Sequence, residues 1–226
     1  MKKYIPSMFT LANLACGSLA ILIGEIHAGS LLLIASMFFD ALDGTTARAF
    51  NAQSELGKEL DSLCDLVSFG LAPAFLYYQL APTPSKWYLI PVLVLVLASA
   101  LRLAKFNLLA PSKYFTGMPT PATAFFIVGI LIAHQHDSRF ITNLFNSNII
   151  YCGIPLFLGF IMLSPLRMFS LKDMNKGLGE NKFQVLLFLI FVCLLVVDFK
   201  VAIPATVVLY ILLSFLHTVS YNRKYR

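Results

Sequence analysis

Four aspartates stand inside apolar stretches of the chain, where carboxylates are rare. Asp40 and Asp43 form one pair, and Asp61 and Asp65 form a second pair in the next apolar stretch. A charged side chain costs about 2.5 to 3.5 kcal/mol at the centre of a membrane helix, so such residues face a cavity or one another and mark function. At about 100° per residue, each pair lies on one face of its helix. Two antiparallel neighbouring helices would let the pairs converge.

Small residues and one cation accompany the aspartates. Gly44 and Ala47 follow the first pair, and Gly57 precedes the second. They leave space beside the carboxylates that a close-fitting flat or phosphorylated ligand can enter. Arg48, next to Ala47, is a cation that can meet an anionic substrate.

This pattern favours phosphoryl transfer assisted by metal ions. Converging carboxylates repel one another unless cations intervene, and Mg²⁺ and Mn²⁺ prefer carboxylate and phosphate oxygens. Two such ions would neutralise four aspartates, which predicts a two-metal site opening to the cytoplasm. Two other interpretations remain open. Intramembrane carboxylates also serve as ion relays in cation transporters, and small residues at helical spacing also pack helices together.

Composition indicates that the bilayer is the solvent. Of 226 residues, 58% are hydrophobic and 12% charged, whereas globular chains carry about 25% charged residues. A soluble domain is therefore excluded. The four cysteines, Cys16, Cys64, Cys152 and Cys193, lack a CxxC spacing, which argues against a disulfide framework and a zinc site.

Eight apolar stretches are long enough, or nearly so, to span a bilayer. They cover 8–26, 29–50, 57–80, 87–108, 119–136, 148–166, 183–199 and 201–219. The first is interpreted as a membrane helix rather than a cleaved signal. The last two are separated only by residues 198–200, so they form either a tight hairpin or one misdivided helix. The sequence predicts an all-α, polytopic bundle of about eight transmembrane helices in a single domain, residues 1–226.

The basic residues predict the orientation of this bundle. Fourteen of the 17 fall on the side of the N-terminus, all except Lys86, Arg139 and Lys200. By the positive-inside rule, both termini and the active site face the cytoplasm, and the protein lies in the cytoplasmic membrane. The net charge of +6 then reflects topology and anionic lipid head groups, and nothing indicates nucleic-acid binding. His134 and His136 are spaced like a metal pair, but they fall on the far face and are interpreted as interfacial polar residues.

The spacing of the aspartates resembles a family signature. The string reads Asp40-x2-Asp43-Gly44-x2-Ala47-Arg48-x8-Gly57-x3-Asp61-x3-Asp65. It is similar, at all eight specified positions, to the signature of the CDP-alcohol phosphotransferase family. The resemblance implies an enzyme in which an alcohol displaces CMP from a CDP-linked donor, with two Mg²⁺ or Mn²⁺ ions held by the four aspartates.

The same resemblance implies individual roles. Asp65 would also be the general base toward the acceptor hydroxyl. Arg48 and Ser54 would contact the diphosphate, and Gly44 and Ala47 would lie against the cytidine. It further implies a six-helix catalytic core that forms a homodimer, here residues 1–166, to which residues 183–219 add two helices.

Other segments resemble the phosphatidylserine synthase branch of that family. Residues 60–73 read LDSLCDLVSFGLAP, which is similar to the branch pattern LDSxxDxVSFGxAP. Residues 5–13 resemble the PNxxTxxN start, with Ser7 where Asn is usual. On this resemblance the CDP-diacylglycerol site comprises Pro6, Thr10, Asn13, Gly44, Ala47, Arg48, Ser54 and Gly57. The implied acceptor is L-serine, with glycerol 3-phosphate or an inositol phosphate as the alternative.

The candidate acceptor site is predicted from four polar residues. Arg102 and Lys105 end the fourth apolar stretch, where either could hold a carboxylate, a lipid phosphate or the diphosphate. Snorkelling at the interface is the other interpretation of this pair. Asn107 could line the cavity beside them, since non-helical backbone at membrane depth needs a polar wall. Ser62 departs from the pattern of phosphatidylglycerophosphate synthases and completes the set.

Overall fold

Helices make up nearly all of the described chain. The computed structural model describes residues 5–50, 54–108, 115–136, 139–145, 147–168 and 182–224. The helices are α1 (Ile5–Ile23), α2 (Ile26–Ala49), α3 (Glu55–Asp65), α4 (Ala72–Tyr78), α5 (Leu89–Leu108), α6 (Thr120–Gln135), α7 (Arg139–Phe145), α8 (Asn148–Leu163) and α9 (Lys182–Lys224). A π-helical turn, Leu66–Leu71, joins α3 to α4, and a 3₁₀ turn, Lys86–Tyr88, precedes α5. Two short strands, β1 (Phe115–Thr116) and β2 (Arg167–Met168), pair antiparallel.

The helices match a membrane protein in length and composition. Five segments of the described chain are long and apolar enough to cross a bilayer, and α6 and α8 are shorter apolar helices. The five segments are Ile5–Ile23, Ile26–Ala49, Glu55–Tyr78, Lys86–Leu108 and Gln184–Leu216. The predicted polytopic helical bundle is confirmed, and the single β1–β2 pair is the departure from an all-α chain in the described residues.

The structure differs from the predicted stretches and breaks in two places. Helix α7 lies within 137–147, which was expected to be a break, because a polar stretch can still form a helix of two turns. The π-helical turn has no signal in hydropathy, since it leaves the apolar run uninterrupted. The expected breaks at 110–112 and 172–181 lie outside the described residues.

Helix α9 reverses direction at Asp198. This residue has extended backbone angles, φ −155° and ψ 96°, and its Oδ1 accepts a hydrogen bond from the Lys200 N–H at 3.0 Å, as an N-cap does. Leu187 and Val207 line the same cavity, although twenty residues of straight helix would hold them about 30 Å apart. The sequence left a tight hairpin and one misdivided helix open, and the structure has the hairpin.

Two tyrosines join α4 to α8 at the end of the bundle opposite the aspartates. The Tyr77 hydroxyl donates to the Tyr151 carbonyl oxygen at 2.8 Å, and the Tyr151 hydroxyl donates to the Tyr77 carbonyl oxygen at 3.3 Å. Their rings stack with centroids 5.0 Å apart. Because both side chains are fully buried, this reciprocal pair joins α4 to α8 and leaves the other end of the bundle to form a cleft.

Candidate active site

Three of the four aspartates form a cluster between α2 and α3. Carboxylate oxygens of Asp40, Asp61 and Asp65 lie within 4.8 Å of one another, where α3 begins soon after the end of α2 along the chain. In the part of the chain that the structure describes, no other group of three acidic, histidine or cysteine side chains comes this close. Asp43 lies outside the cluster but is buried beside it. The predicted convergence of all four is thus found for three.

Asp65 is held by a chain of hydrogen bonds from α1. The Asn13 Nδ2 donates to Asp65 Oδ1 at 3.2 Å, and the Ser68 hydroxyl donates to the Asn13 carbonyl oxygen at 3.0 Å. Asn13 is fully buried and does not line the cavities described below. Asn13 therefore contacts Asp65 rather than a cavity wall, because its position faces the π-helical turn, and its contact with the donor stays a prediction.

A first cavity of about 500 Å³ opens beside Asp43 and Asp61. Its walls are Pro6, Ser7, Thr10, Asp43, Gly44, Ala47, Ser54, Glu55, Gly57, Lys58 and Asp61. Six of the eight residues predicted to bind the donor are among them. A Cβ atom at Gly44 would meet no atom within 4 Å, so this glycine borders open space.

The N-terminus of α3 faces the first cavity. The Ser54 side chain caps it, since its Oγ accepts a hydrogen bond from the Gly57 N–H at 3.0 Å. Unpaired N–H groups and the helix dipole make such an end favourable for anions. Ser54 and Gly57 therefore give the first cavity an end that can hold a diphosphate.

The cation that lines the first cavity is Lys58 rather than the predicted Arg48. Arg48 is exposed outside the cavity walls, and its Nε donates to the Gly44 carbonyl oxygen at 3.0 Å, because that carbonyl lies one turn back on α2. Lys58, which the sequence analysis missed, lines the cavity, and its Nζ donates to the Asn107 carbonyl oxygen at 2.9 Å. A signal existed, since Lys58 lies one turn before Asp61 on the same helical face.

A second cavity of about 570 Å³ lies on the other side of the aspartate cluster. Its walls are Met37, Asp40, Lys58, Asp61, Ser62, Asp65, Arg102, Leu103, Phe106, Asn107, Pro119, Pro121, Ala122, Phe125, Leu187, Thr206, Val207 and Tyr210. Ser62, Arg102 and Asn107 are there, as predicted. Lys105 is exposed outside the walls, because it lies about one turn beyond Arg102, in the last turn of α5. Lys58 and Asp61 belong to both cavities, so the two spaces meet at the cluster.

Arg102 brings a buried positive charge to the second cavity. Only 8% of its surface is exposed, and its Nη1 donates to Thr120 Oγ1 at 3.1 Å. Its Nε has no hydrogen-bond partner among the described residues. A buried, incompletely satisfied guanidinium costs several kcal/mol unless an anion joins it. The second cavity is therefore suited to a ligand with a carboxylate or phosphate.

His27, His134 and His136 line neither cavity. His136 is exposed at the opposite end of α6, where its ring centroid is 5.1 Å from that of Phe199. His27 Nδ1 is 3.0 Å from Gln135 Oε1. The interpretation of His134 and His136 as interfacial polar residues stays a prediction.

Comparison with known proteins gives a consistent assignment. The sequence model of the CDP-alcohol phosphatidyltransferase family matches residues 3–161. The chain is 35% identical over 193 residues to CDP-diacylglycerol--serine O-phosphatidyltransferase of Methanocaldococcus jannaschii, covering 85% of this chain and 83% of that protein. It is 43% identical over 130 residues to the protein of that name from Bacillus subtilis, covering 53% and 70%.

An archaeal relative carries a different name. Archaetidylserine synthase of Methanothermobacter thermautotrophicus is 36% identical over 126 residues, covering 53% of this chain and 54% of that protein. The family match spans the helices that build both the aspartate cluster and the first cavity. The chain therefore belongs to the CDP-alcohol phosphatidyltransferase family.

Proposed function

We propose that this protein transfers the phosphatidyl group of CDP-diacylglycerol to L-serine and releases CMP. The observation that carries the proposal is the meeting of two cavities at the aspartate cluster, with Asp61 and Lys58 in both walls. One cavity offers room and a helix N-terminus, and the other offers a buried cation. The names of the bacterial and archaeal relatives support serine as the acceptor.

The first cavity receives the cytidine diphosphate. Open space at Gly44 suits the nucleoside, and the N-terminus of α3 suits the diphosphate. Lys58 adds a positive charge at the boundary with the second cavity. The lipid tails of the donor extend into the bilayer, which keeps the reacting phosphorus at membrane depth beside the cluster.

The second cavity receives the acceptor. Arg102 binds the serine carboxylate, and Asp65 accepts the proton of the serine hydroxyl. The hydroxyl oxygen then attacks the phosphorus that bears the diacylglycerol, and the bond from that phosphorus to the bridging oxygen breaks as CMP leaves. Because the cavities share a wall, donor and acceptor meet directly, which favours a single displacement.

The cluster fits hard divalent cations by its chemistry. Three carboxylates with oxygens within 4.8 Å of one another form an oxygen-only donor set of high negative charge, as Mg²⁺ or Mn²⁺ requires. Asp40, Asp61 and Asp65 would hold two such ions, with Asp43 completing the set from the adjoining wall. The ions would stabilise negative charge on the attacking and leaving oxygens.

The orientation and assembly of the enzyme follow from the same proposal. The active site and both termini face the cytoplasm, where CMP and serine are soluble. Residues 1–166 form the catalytic core, residues 183–219 are additional helices, and the protein acts as a homodimer. These statements rest on the charge distribution and on the family resemblance.

One assay tests the proposed function. Purified protein in detergent is given CDP-diacylglycerol with Mg²⁺ or Mn²⁺, and L-serine, glycerol 3-phosphate or an inositol phosphate is added in parallel reactions while CMP is measured. We expect CMP release with serine and none in excess EDTA. CMP release with another acceptor alone would assign the enzyme to a different branch, and full activity in EDTA would exclude the metal site.

A further inference from the structure

The second half of α9 forms one wall of the second cavity. Thr206, Val207 and Tyr210 line it, and Tyr210 is only 5% exposed. The matched region of the family ends at residue 161, so these residues come from outside it. The returning arm of the hairpin thus contributes polar groups to a cavity that the family core alone leaves incomplete.

A glycine on α6 holds that arm in place. A Cβ atom at Gly129 would lie 2.6 Å from Ile203 Cγ2 and 2.7 Å from Pro204 Cδ, so the two helices approach as closely as a glycine permits. Thr206 and Tyr210 follow about one and two turns after this contact. The close approach therefore fixes the distance of Tyr210 from the cavity.

Tyr210 also interacts with Arg102. Both side chains line the second cavity, and the phenol and the guanidinium are near enough to interact electrostatically. Thr120 engages the Nη1 of Arg102, while Nε has no partner among the described residues. A polar ring beside an incompletely satisfied guanidinium restricts where that guanidinium points.

We propose that Tyr210 is a positioning residue that orients Arg102 toward the anionic group of the acceptor, so that the C-terminal hairpin takes part in acceptor selection. This inference rests on the proposed function for the place of the acceptor, and it requires only that the acceptor carries a carboxylate or phosphate. The hairpin then contributes directly to the binding of the acceptor.

The test separates acceptor binding from donor binding. Tyr210→Phe keeps the ring and removes the hydroxyl, and loss of a polar contact to a charged group typically weakens binding about 10-fold. We expect the KM for L-serine to rise about 10-fold, while the KM for CDP-diacylglycerol and kcat at saturating serine stay within about 2-fold. Gly129→Ala, which pushes the hairpin away, should raise the serine KM in the same way.

Two controls identify a merely structural effect. Leu212→Ala removes a side chain that is 53% exposed on the same helix, and Tyr88→Phe removes a buried phenol hydroxyl near the start of α5, far from Arg102. Both should leave the two KM values unchanged. An unchanged serine KM in Tyr210→Phe, or an equal rise in the KM for the donor, would overturn the inference.

A failure of the proposed function can be distinguished from a failure of this inference. If the wild-type enzyme refuses serine but uses glycerol 3-phosphate, the proposed function fails. The role of Tyr210 is then judged from the KM for glycerol 3-phosphate in the same variants. A rise confined to that acceptor supports the inference, and no rise refutes it.

Discussion

Asp65 combines a hydrogen bond from α1 with a place in the wall of the second cavity. It accepts a hydrogen bond from Asn13, it is only 8% exposed, and it lines the second cavity but not the first. Asp61 borders both cavities and would therefore face donor and acceptor alike in the proposed reaction. A base for the acceptor hydroxyl would stand on the acceptor side, and Asp65 lines the cavity proposed for the acceptor.

Substitution of Asp65 by Asn should separate turnover from donor binding. General-base assistance is typically worth about 10² to 10⁴-fold, so we expect kcat for CMP release to fall by that factor. Donor affinity should fall less, because Asp40, Asp43 and Asp61 remain. The measurement pairs CDP-diacylglycerol affinity with the rate of CMP release, and Asp61→Asn serves as the comparison. A near-normal kcat with lost metal or donor affinity would make Asp65 a ligand alone.

Asn13 should act on kcat rather than on donor affinity. Asn13→Leu removes the hydrogen bond to Asp65, and a bond to a charged group contributes about 1.5 to 3 kcal/mol, so a fall in kcat of about 10-fold or more is expected. Thr10→Val is the matched control, because Thr10 lies one turn earlier and lines the first cavity. That variant should raise the KM for CDP-diacylglycerol instead. A donor KM that rises in Asn13→Leu would restore the direct contact predicted from the sequence.

Single residues were predictable where a local pattern carries them. The aspartates, Gly44 and Ala47 share helical faces, so spacing alone places them together. Asn13 contacts Asp65, and Tyr210 shares a cavity wall with Arg102, across helices distant in sequence. Such contacts leave no periodic signal. The family resemblance placed Arg48 in the site, and its position at a helix end placed Lys105 there. Neither lines a cavity, because both are exposed in the last turn of a helix.

The π-helical turn is the element that fastens α1 to the active site. A Cβ atom at Gly17 would lie 2.7 Å from Ser68 Cα, so α1 reaches this turn only because residue 17 has no side chain. That approach brings the Asn13 carbonyl oxygen within 3.0 Å of the Ser68 hydroxyl. The contact between α1 and the π-helical turn therefore depends on the absence of a side chain at Gly17.

Gly17→Ala should destabilise the protein and reduce activity. Overpacking a tight contact typically costs about 1 to 3 kcal/mol, and the opposing atom is backbone, which cannot rotate away. Gly153→Ala is the matched control, since a Cβ there meets nothing within 4 Å and alanine favours a helix by up to about 1 kcal/mol. Thermal unfolding in detergent should show a lower Tm for the first variant and an equal or higher Tm for the second. Equal Tm values in both variants would contradict the close contact.

Hydropathy predicted the long elements and missed the short ones. An apolar run reports that a segment prefers lipid, and this suffices to place the spanning helices within a few residues. Hydropathy contains no information about the hydrogen-bond pattern within the run. The π-helical turn at Leu66–Leu71 was therefore not predicted. The β1–β2 pair and α7 were not predicted either. The conformation of a short polar connection depends on the positions of the helices that it joins, and hydropathy does not report those positions.

At the scale of the whole molecule, one end holds the chemistry and the other holds the bundle together. The aspartate cluster, both cavities and the β1–β2 pair gather at one end. The tyrosine pair, the ring contact of His136 with Phe199 and the reversal at Asp198 lie at the other. The sequence predicted two unlike ends from its basic residues, and most of those that the structure describes fall near the cavity end. It left open whether the last apolar region turns back, which Asp198 decides by leaving the helical conformation.

This polarity makes a prediction about the sides of the membrane. Ser54 caps α3 at the cavity end, whereas Ser85 precedes α5 at the opposite end. Lys200 follows the reversal in α9 and belongs with Ser85, because Phe199 contacts His136 at the far end of α6. In a variant without its four native cysteines, a single cysteine at position 54 should react with an impermeant thiol reagent from the cytoplasmic side. Single cysteines at positions 85 and 200 should react from the other side.

A reporter fused to the C-terminus completes the topology test, because it distinguishes a hairpin from one long span. A reversal at Asp198 returns the chain to the side of Ser54, so the reporter should be cytoplasmic, as the positive-inside rule also requires. A straight α9 would put the reporter on the opposite side of the membrane from position 182. It would also withdraw Thr206 and Tyr210 from the cavity wall. A reporter found on the side of Ser85 would therefore contradict both the hairpin and its place in the wall of the second cavity. A cytoplasmic reporter, together with labelling of position 200 from the other side of the membrane, requires a chain that turns near Asp198.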